Sequence, residues 1–354
     1  MDYFVEGRNM KALVYYGPCD MRLEERPVPV PLDNEVLVKM HAVSVCGSDL
    51  GAYRLPEVSD RWEPPIVLGH EFSGEIASCG KKASKYKVGT RVAANPILYC
   101  GDCFYCKRGE INLCANRNSF GTSIGGKRTD GAMQEYFTIR EDAIIPLDER
   151  VSYEDGALLE PLAVCYCAAA NHSFGEGERV VVSGAGPIGL LIVKFLKANG
   201  ASCIIVSDIV ETRLLYAKKY GADEVVNVTN GDLEKTVKNL TDNIGADRVI
   251  ITAGNQTAIP DSFRLVRNGG SIVLVALAHY HVEIDPMQIV SRGVSLIGSY
   301  MFHREQYDAM KMIAEGKIKV SDIITSTCKL SESADVFEKL CSQDCKDVKV
   351  LITA

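Results

Sequence analysis

No apolar run in this 354-residue chain reaches the length of a membrane-spanning helix, so a membrane-embedded class is not suggested. The beginning, MDYFVEGRNMKALVYYG, lacks a charged segment followed by an apolar stretch, and no export signal is expected. Nor does any block of five or six like charges occur. Lys and Arg total 39 against 46 Asp and Glu, a net charge of −7, which leaves no electrostatic footprint for nucleic acid. Internal repeats and low-complexity linkers are missing too. What is present is 47% hydrophobic and 24% charged, the balance of a soluble globular protein, and the length fits two domains at roughly 100 to 200 residues each. Without a flexible tether, those domains are expected to share a cleft.

Cysteine is plentiful. Of 13 cysteines, four crowd between positions 100 and 114, and without an export signal that crowding favours metal over disulfides. The expected compartment is the reducing cytoplasm. From about residue 10 to 155 short β-branched runs (KALVYYG, NEVLVKMHAVSV, EFSGEIASCG, TRVAANPI) alternate with Gly or Pro, as strands of a β-rich domain do. From about 179 strand runs alternate with helix-like segments: RVVVSG then PIGLLIVKFLKANG, CIIVSD then TRLLYAKKYG, DRVIITAG then TAIPDSFRLVRNGG, and SIVLVAL. That rhythm predicts a doubly wound parallel sheet, and with it an α/β fold. Two further helix-like stretches and a last strand, VKVLITA, close the chain.

Gly184, Gly186 and Gly189 form G-x-G-x-x-G, with Pro187 and Ile188 between the last two, directly after the strand RVVVS and at the mouth of an apolar helix. The first glycine permits a tight turn, the second lets backbone approach a pyrophosphate, and the third lets helix pack on strand. Asp208 ends the next strand nineteen residues after Gly189. A carboxylate there accepts hydrogen bonds from ribose hydroxyls and repels a 2′-phosphate, so NAD is expected over NADP. Arg213 has two readings, a contact to adenine or ribose and a solvated helix residue.

Cys100, Cys103, Cys106 and Cys114 are spaced C-x2-C-x2-C-x7-C in a Gly-rich polar loop of about 95–116. Four thiolates so spaced wrap tetrahedrally around a structural zinc. Ferredoxin spacing differs, since there the fourth Cys follows after three residues and precedes Pro, whereas Cys114 follows after seven and precedes Ala115. A second, dispersed set comprises Cys46 in VCGSD, His70 and Glu71 in LGHEFSG, and Glu160 in LLEPLAV. One thiolate, one imidazole and a carboxylate hold zinc with a fourth position open for a substrate oxygen, as a catalytic site requires.

The order VCGSD, GHEFSG, four-cysteine loop, EPLAV, GAGPIG, spread from Met10 to Ala354, resembles the zinc-containing medium-chain dehydrogenase/reductase superfamily. Glu160, where alcohol dehydrogenases have a second Cys, resembles the branch of sorbitol, galactitol-phosphate, threonine and butanediol dehydrogenases, the polyol members best. The resemblance implies a GroES-like catalytic domain (1–155 and 301–354), a Rossmann NAD-binding domain (156–300), and a homodimer or homotetramer. It also implies catalytic zinc on Cys46, His70 and one or both of Glu71 and Glu160, with Asp49 orienting His70 and Ser48 touching the substrate hydroxyl.

The implied reaction is reversible oxidation of a secondary alcohol in a polyol or polyol phosphate, with L-threonine and 2,3-butanediol as alternative substrates. A non-enzymatic NAD- and zinc-binding role is the contrasting reading. Ser48 is the expected first proton acceptor, because a hydroxyl both accepts and donates. Many relatives have a His five residues after the zinc Cys, where this chain has Gly51, so the relay beyond Ser48 has no assigned residue. Segment 297–300, IGSY, with Ser299 where sorbitol dehydrogenase has Arg, resembles the galactitol-phosphate enzymes. For a phosphate, Arg54 and Arg61 are the candidate bidentate donors. SIVLVAL reads equally as an edge strand for two-fold pairing and as an ordinary buried strand, and the eight remaining cysteines are expected to be buried or inert.

Overall fold

The strand Glu35–Ser44 is buried along most of its length because it has neighbours on every side: Glu71–Cys79, Tyr136–Arg140 and Lys349–Thr353 all pair with it antiparallel. A computed structural model describes residues 7–55, 61–170, 174–277, 281–342 and 344–354. By backbone contacts the chain forms two units, Met1–Glu160 with Gln306–Ala354, and Pro161–Glu305.

In the first unit, among the described residues, the order is Ile144–Pro146, Arg91–Ala94, Glu71–Cys79, Glu35–Ser44, Lys349–Thr353, Ile324–Lys329, and Tyr136–Arg140 joins off that path. The C-terminal strand thus lies beside the strand that leads to Cys46. A smaller sheet contains the hairpin Asn9–Gly17 and Asp20–Pro27, joined by Ile66–Val67. The second hairpin strand, DMRLEERP, escapes the sequence reading because it is partly exposed throughout and shows no apolar alternation. Phe72, Phe120 and Phe137, with ring centroids 4.7 to 5.4 Å apart, tie the Glu71 strand to the 118–123 loop and to Tyr136–Arg140. Such pairs contribute about 0.5–1.5 kcal/mol each beyond their burial.

The second unit is an α/β layer structure. Its parallel sheet runs Glu224–Asn227, Cys203–Asp208, Arg179–Ser183, Ala246–Ile251, Val266–Leu274, Ser295–Gly298. The strand order reverses at Arg179–Ser183, the switch point where such sheets bind nucleotides. Helices Pro187–Ala198 and Glu211–Tyr220 pack against each other, as do Leu233–Leu240 and Ala258–Leu265. One element differs from expectation. The helix in TAIPDSFRLVRNGG stops at Leu265, and the next strand begins at Val266, inside the span read as helix. SIVLVAL is not an edge: its Ser271–Leu274 portion pairs on both sides, and Ser295–Gly298 is the outer strand.

Candidate metal and cofactor sites

Strand register assembles the first metal set. Ser44 lies opposite Glu71 in the antiparallel pair, so the chain leaving one strand runs beside the chain entering the other. Cys46 and His70 are the residues so brought together. Donor atoms of Cys46, His70 and Glu71 all lie within 4.8 Å of one another. Cys46 is the N-cap of the helix Gly47–Arg54. In that helix's first turn Asp49, fully buried, accepts the Cys46 N–H through Oδ2 at 2.9 Å and sets Oδ1 3.6 Å from Nδ1 of His70. Neither of those facing atoms has another hydrogen-bond partner among the described residues. The carboxylate therefore selects Nδ1 for the ring proton and leaves Nε2 as the donor nitrogen. Ser48 Oγ stands 3.5 Å from that Nε2.

Glu71 is held from two sides: the Ser44 hydroxyl and the Lys349 ammonium both donate to Oε2. Lys349 also donates to the Val45 carbonyl at 3.0 Å, and it is 2% exposed. Although burial works against the charge, Lys349 holds the Glu71 carboxyl below its usual range. Sequence reasoning missed Lys349. Its only signal is a lysine within VKVLITA, next to the apolar, buried Val350, Leu351 and Ile352.

Glu160 is the second residue of the helix Leu159–Ala170 and is buried, beside these groups but outside the 4.8 Å set. The preceding short helix, Tyr153–Ala157, is fixed by a Ser73 hydroxyl donating to the Tyr153 carbonyl at 2.6 Å and by stacking of Tyr153 on His41. Burial pushes the Glu160 carboxyl up to about 7; His70 opposes the rise and Glu71 adds to it. Four acidic side chains, Cys46, Asp49, Glu71 and Glu160, thus stand with His70 and Lys349 in a largely buried place. Their thiol, imidazole and carboxylate donors are the kinds that zinc takes.

The four-cysteine loop has tetrahedral dimensions. Its sulfurs are separated by 3.5 Å (Cys103–Cys106), 3.6 Å (Cys100–Cys114), 3.9 Å (Cys103–Cys114) and 4.0 Å (Cys100–Cys106). Zn–S bonds of about 2.3 Å at tetrahedral angles place sulfurs about 3.8 Å apart. Backbone N–H groups of Cys106 and Ala115 pull the Cys103 thiol down to about 6, towards the thiolate that binds metal.

At the glycine motif the structure separates three tasks. Gly184 has φ +105°, which a side chain disfavours. A Cβ on Gly189 would sit 2.0 Å from the Gly184 carbonyl oxygen, so helix and strand meet there without room for one. At Gly186, the N-cap of Pro187–Ala198, a Cβ would meet nothing within 4 Å. That open side, at a helix N-terminus, fits an incoming pyrophosphate. Asp208 is preset by backbone: Oδ1 accepts from Ile209 and Val210, and Oδ2 accepts from Ala185 at 2.7 Å. The Oδ2 atom keeps a lone pair for a ribose hydroxyl. Ile188 is fixed by its carbonyl, which accepts from the Cys165 thiol at 3.3 Å.

Arg213 is half-buried in the first turn of Glu211–Tyr220. Arg54 ends its helix, exposed, and Arg61 is half-buried in a loop; neither guanidinium has a hydrogen bond or ion pair among the described residues. Gly51 lies within the Ser48 helix and supplies no relay group. Ser299 donates to the Cys167 sulfur at 3.9 Å. Of the eight cysteines expected to be buried or inert, Cys165 and Cys167 are buried. Cys19 is exposed at a hairpin turn with φ +59°, and Cys79, Cys203, Cys328, Cys341 and Cys345 are half-buried.

Residues 32–149 match the family model described as alcohol dehydrogenase GroES-like domain, and residues 187–315 match that described as zinc-binding dehydrogenase. The chain is 33% identical to a sorbitol dehydrogenase of Bacillus subtilis (strain 168), over 98% of this chain and 97% of the relative. It is 36% identical to a D-arabitol-phosphate dehydrogenase of Enterococcus avium, over 95% and 94%. The crystal structure of galactitol-1-phosphate dehydrogenase from Escherichia coli superposes with a TM-score of 0.89 at 26% identity, covering 98% of this chain and all of that one. The chain belongs to the zinc-containing medium-chain dehydrogenase/reductase superfamily. It is a dehydrogenase of α/β fold, a GroES-like domain with a Rossmann domain, and its cofactors are zinc and a nicotinamide dinucleotide.

Proposed function

We propose that this enzyme oxidises a secondary alcohol of a polyol or polyol phosphate to the ketone, with NAD as hydride acceptor. The observation that carries the reading is the convergence of half-buried Cys46 and His70 with buried Glu71, and of Ser48 beside the imidazole. The polyol and polyol-phosphate names of the relatives supply the substrate class. When bound, zinc supplies Lewis acidity to the alcohol oxygen and the nicotinamide supplies the hydride acceptor. Cys46, His70 and Glu71 or Glu160 hold the metal, and Asp49 fixes the His70 tautomer. Ser48 takes the hydroxyl proton at Oγ. Cys100, Cys103, Cys106 and Cys114 hold the structural zinc. Gly184, Gly186 and Gly189 receive the pyrophosphate, and Asp208 selects NAD. Arg54 and Arg61, without an ion pair among the described residues, are the candidate cations for a substrate phosphate.

The enzyme works in the reducing cytoplasm, in keeping with its thirteen free cysteines. No described helix is long and apolar enough to cross a membrane. It forms a homodimer or homotetramer, with the outer strand Ser295–Gly298 as the edge that pairs. The test is NADH formation at 340 nm across polyols, polyol phosphates, L-threonine and 2,3-butanediol, with and without a zinc chelator. Chelator-sensitive turnover confined to polyols or their phosphates supports the proposal. Turnover of threonine or butanediol alone overturns the substrate, and no turnover by zinc-loaded protein overturns the reaction.

A further inference from the structure

We propose that Lys349 is a positioning residue that, together with Ser44, occupies one oxygen of Glu71 and so limits that carboxylate to a single oxygen toward the metal, an inference that rests on the zinc reading above. The Ser44 hydroxyl and the Lys349 ammonium both donate to Oε2, and no hydrogen bond reaches Oε1 among the described residues. A carboxylate oxygen has two lone-pair sites, so two donors fill Oε2. Oε1 is left as the oxygen free to take a cation.

The same ammonium reaches both chain segments that deliver the metal set. It donates to the Val45 carbonyl at 3.0 Å, and Val45 immediately precedes Cys46. Its other acceptor, Glu71, immediately follows His70. The backbone repeats the tie, because the Val45 N–H donates to the Val350 carbonyl at 3.0 Å and Leu351 lies opposite Ser44 in the antiparallel pair. Apolar Val350, Leu351 and Ile352 follow Lys349 in the strand, all buried, and replacing a buried ion pair by well-packed apolar residues is often neutral or stabilising. Stability alone therefore gives no reason for a lysine here, whereas holding the carboxylate in one pose does.

Cys46, His70 and Glu71 present one donor atom each within 4.8 Å of one another, and Glu160 lies outside that set. Three such donors leave a tetrahedral zinc its fourth position, the one a substrate oxygen needs. Were Oε2 free, the carboxylate could chelate through both oxygens and fill that position. Groups that hydrogen-bond a ligating carboxylate orient it, and their loss typically costs about 10–100-fold in metal affinity or activity.

Cobalt(II) exchanged into this site, with zinc kept in the four-cysteine loop, reports the number of ligands, because its visible bands are strong for four and weak for five. The spectrum of Cys46→Ala treated alike is subtracted. Wild type is expected to show strong bands. Lys349→Met is expected to lose most of that intensity and to lower kcat by about tenfold or more. Lys349→Arg, which keeps the cation, is expected to keep most of the band intensity. Ser44→Ala, which frees one lone pair and spares the charge, is expected to fall between, and it carries the test should Lys349→Met not fold. Weak bands in the wild type overturn the inference, as do bands of unchanged strength in Ser44→Ala or in folded Lys349→Met. Cobalt that binds wild type and Cys46→Ala equally overturns the metal assignment together with this inference, whereas strong wild-type bands indifferent to Lys349 and Ser44 overturn this inference alone.

Discussion

Lys349, in the last strand, donates to the carboxylate of Glu71, at the start of the strand that follows His70, and both residues are almost wholly enclosed at 2% and 1% exposure. The pair sits where three strands run side by side, with Ser44 between its partners. Replacing Lys349 by methionine keeps the stem but leaves a buried carboxylate without its cation. Such a loss costs about 3–5 kcal/mol, so the denaturant midpoint of Lys349→Met should fall sharply. A midpoint equal to the wild type would show that the pair contributes nothing net.

Metal content separates the two zinc sites. Wild-type protein should carry two zinc ions per chain by emission spectrometry. Cys46→Ala should keep one and lose turnover; Cys103→Ser should also keep one, but its main effect should be a lower unfolding temperature, because closed four-thiolate sites contribute folding energy. Two ions retained in either variant would contradict the assignment of that cysteine.

Ser48→Ala tests the proton step. Its hydroxyl lies 3.5 Å from His70 Nε2 and is the proposed acceptor of the substrate proton. Removing it should lower kcat by about 10²-fold or more while zinc content stays at two per chain. A kcat within about twofold of wild type would move that role elsewhere.

The glycine motif predicts opposite consequences three residues apart. Gly186→Val should fold with an unchanged melting temperature, since nothing lies within 4 Å of its Cβ, yet raise the KM for NAD by about tenfold or more. Gly189→Ala must push a methyl to 2.0 Å from the Gly184 oxygen and should lose about 1–3 kcal/mol of stability. Equal stability losses in both would refute the division of labour.

Asp208→Ser should weaken NAD and improve NADP, lowering the ratio of their kcat/KM values by about tenfold or more. The same variant removes the acceptor for the Ala185, Ile209 and Val210 N–H groups, so melting temperature must be read alongside. An unchanged cofactor ratio would leave Asp208 as a backbone clamp only.

Much of this was legible in order and spacing alone. The sulfur tetrahedron follows from C-x2-C-x2-C-x7-C because a single loop delivers all four ligands, and the glycine motif announces itself because strand, turn and helix are contiguous. Both are short-range patterns, and local sequence determines them. Lys349 and Glu71 are 278 residues apart, and no local period records their meeting. Ser295–Gly298, not SIVLVAL, is the outer strand because sheet order is a property of pairing, not of apolarity. Nor does sequence show that Trp62 is buried with an unanswered N–H, since only the packing around it removes both water and every acceptor. Composition and local spacing thus determined the class of chemistry, while the tertiary structure alone decided which distant charges meet, which strand stays open, and which buried polar atom is left without a partner among the described residues.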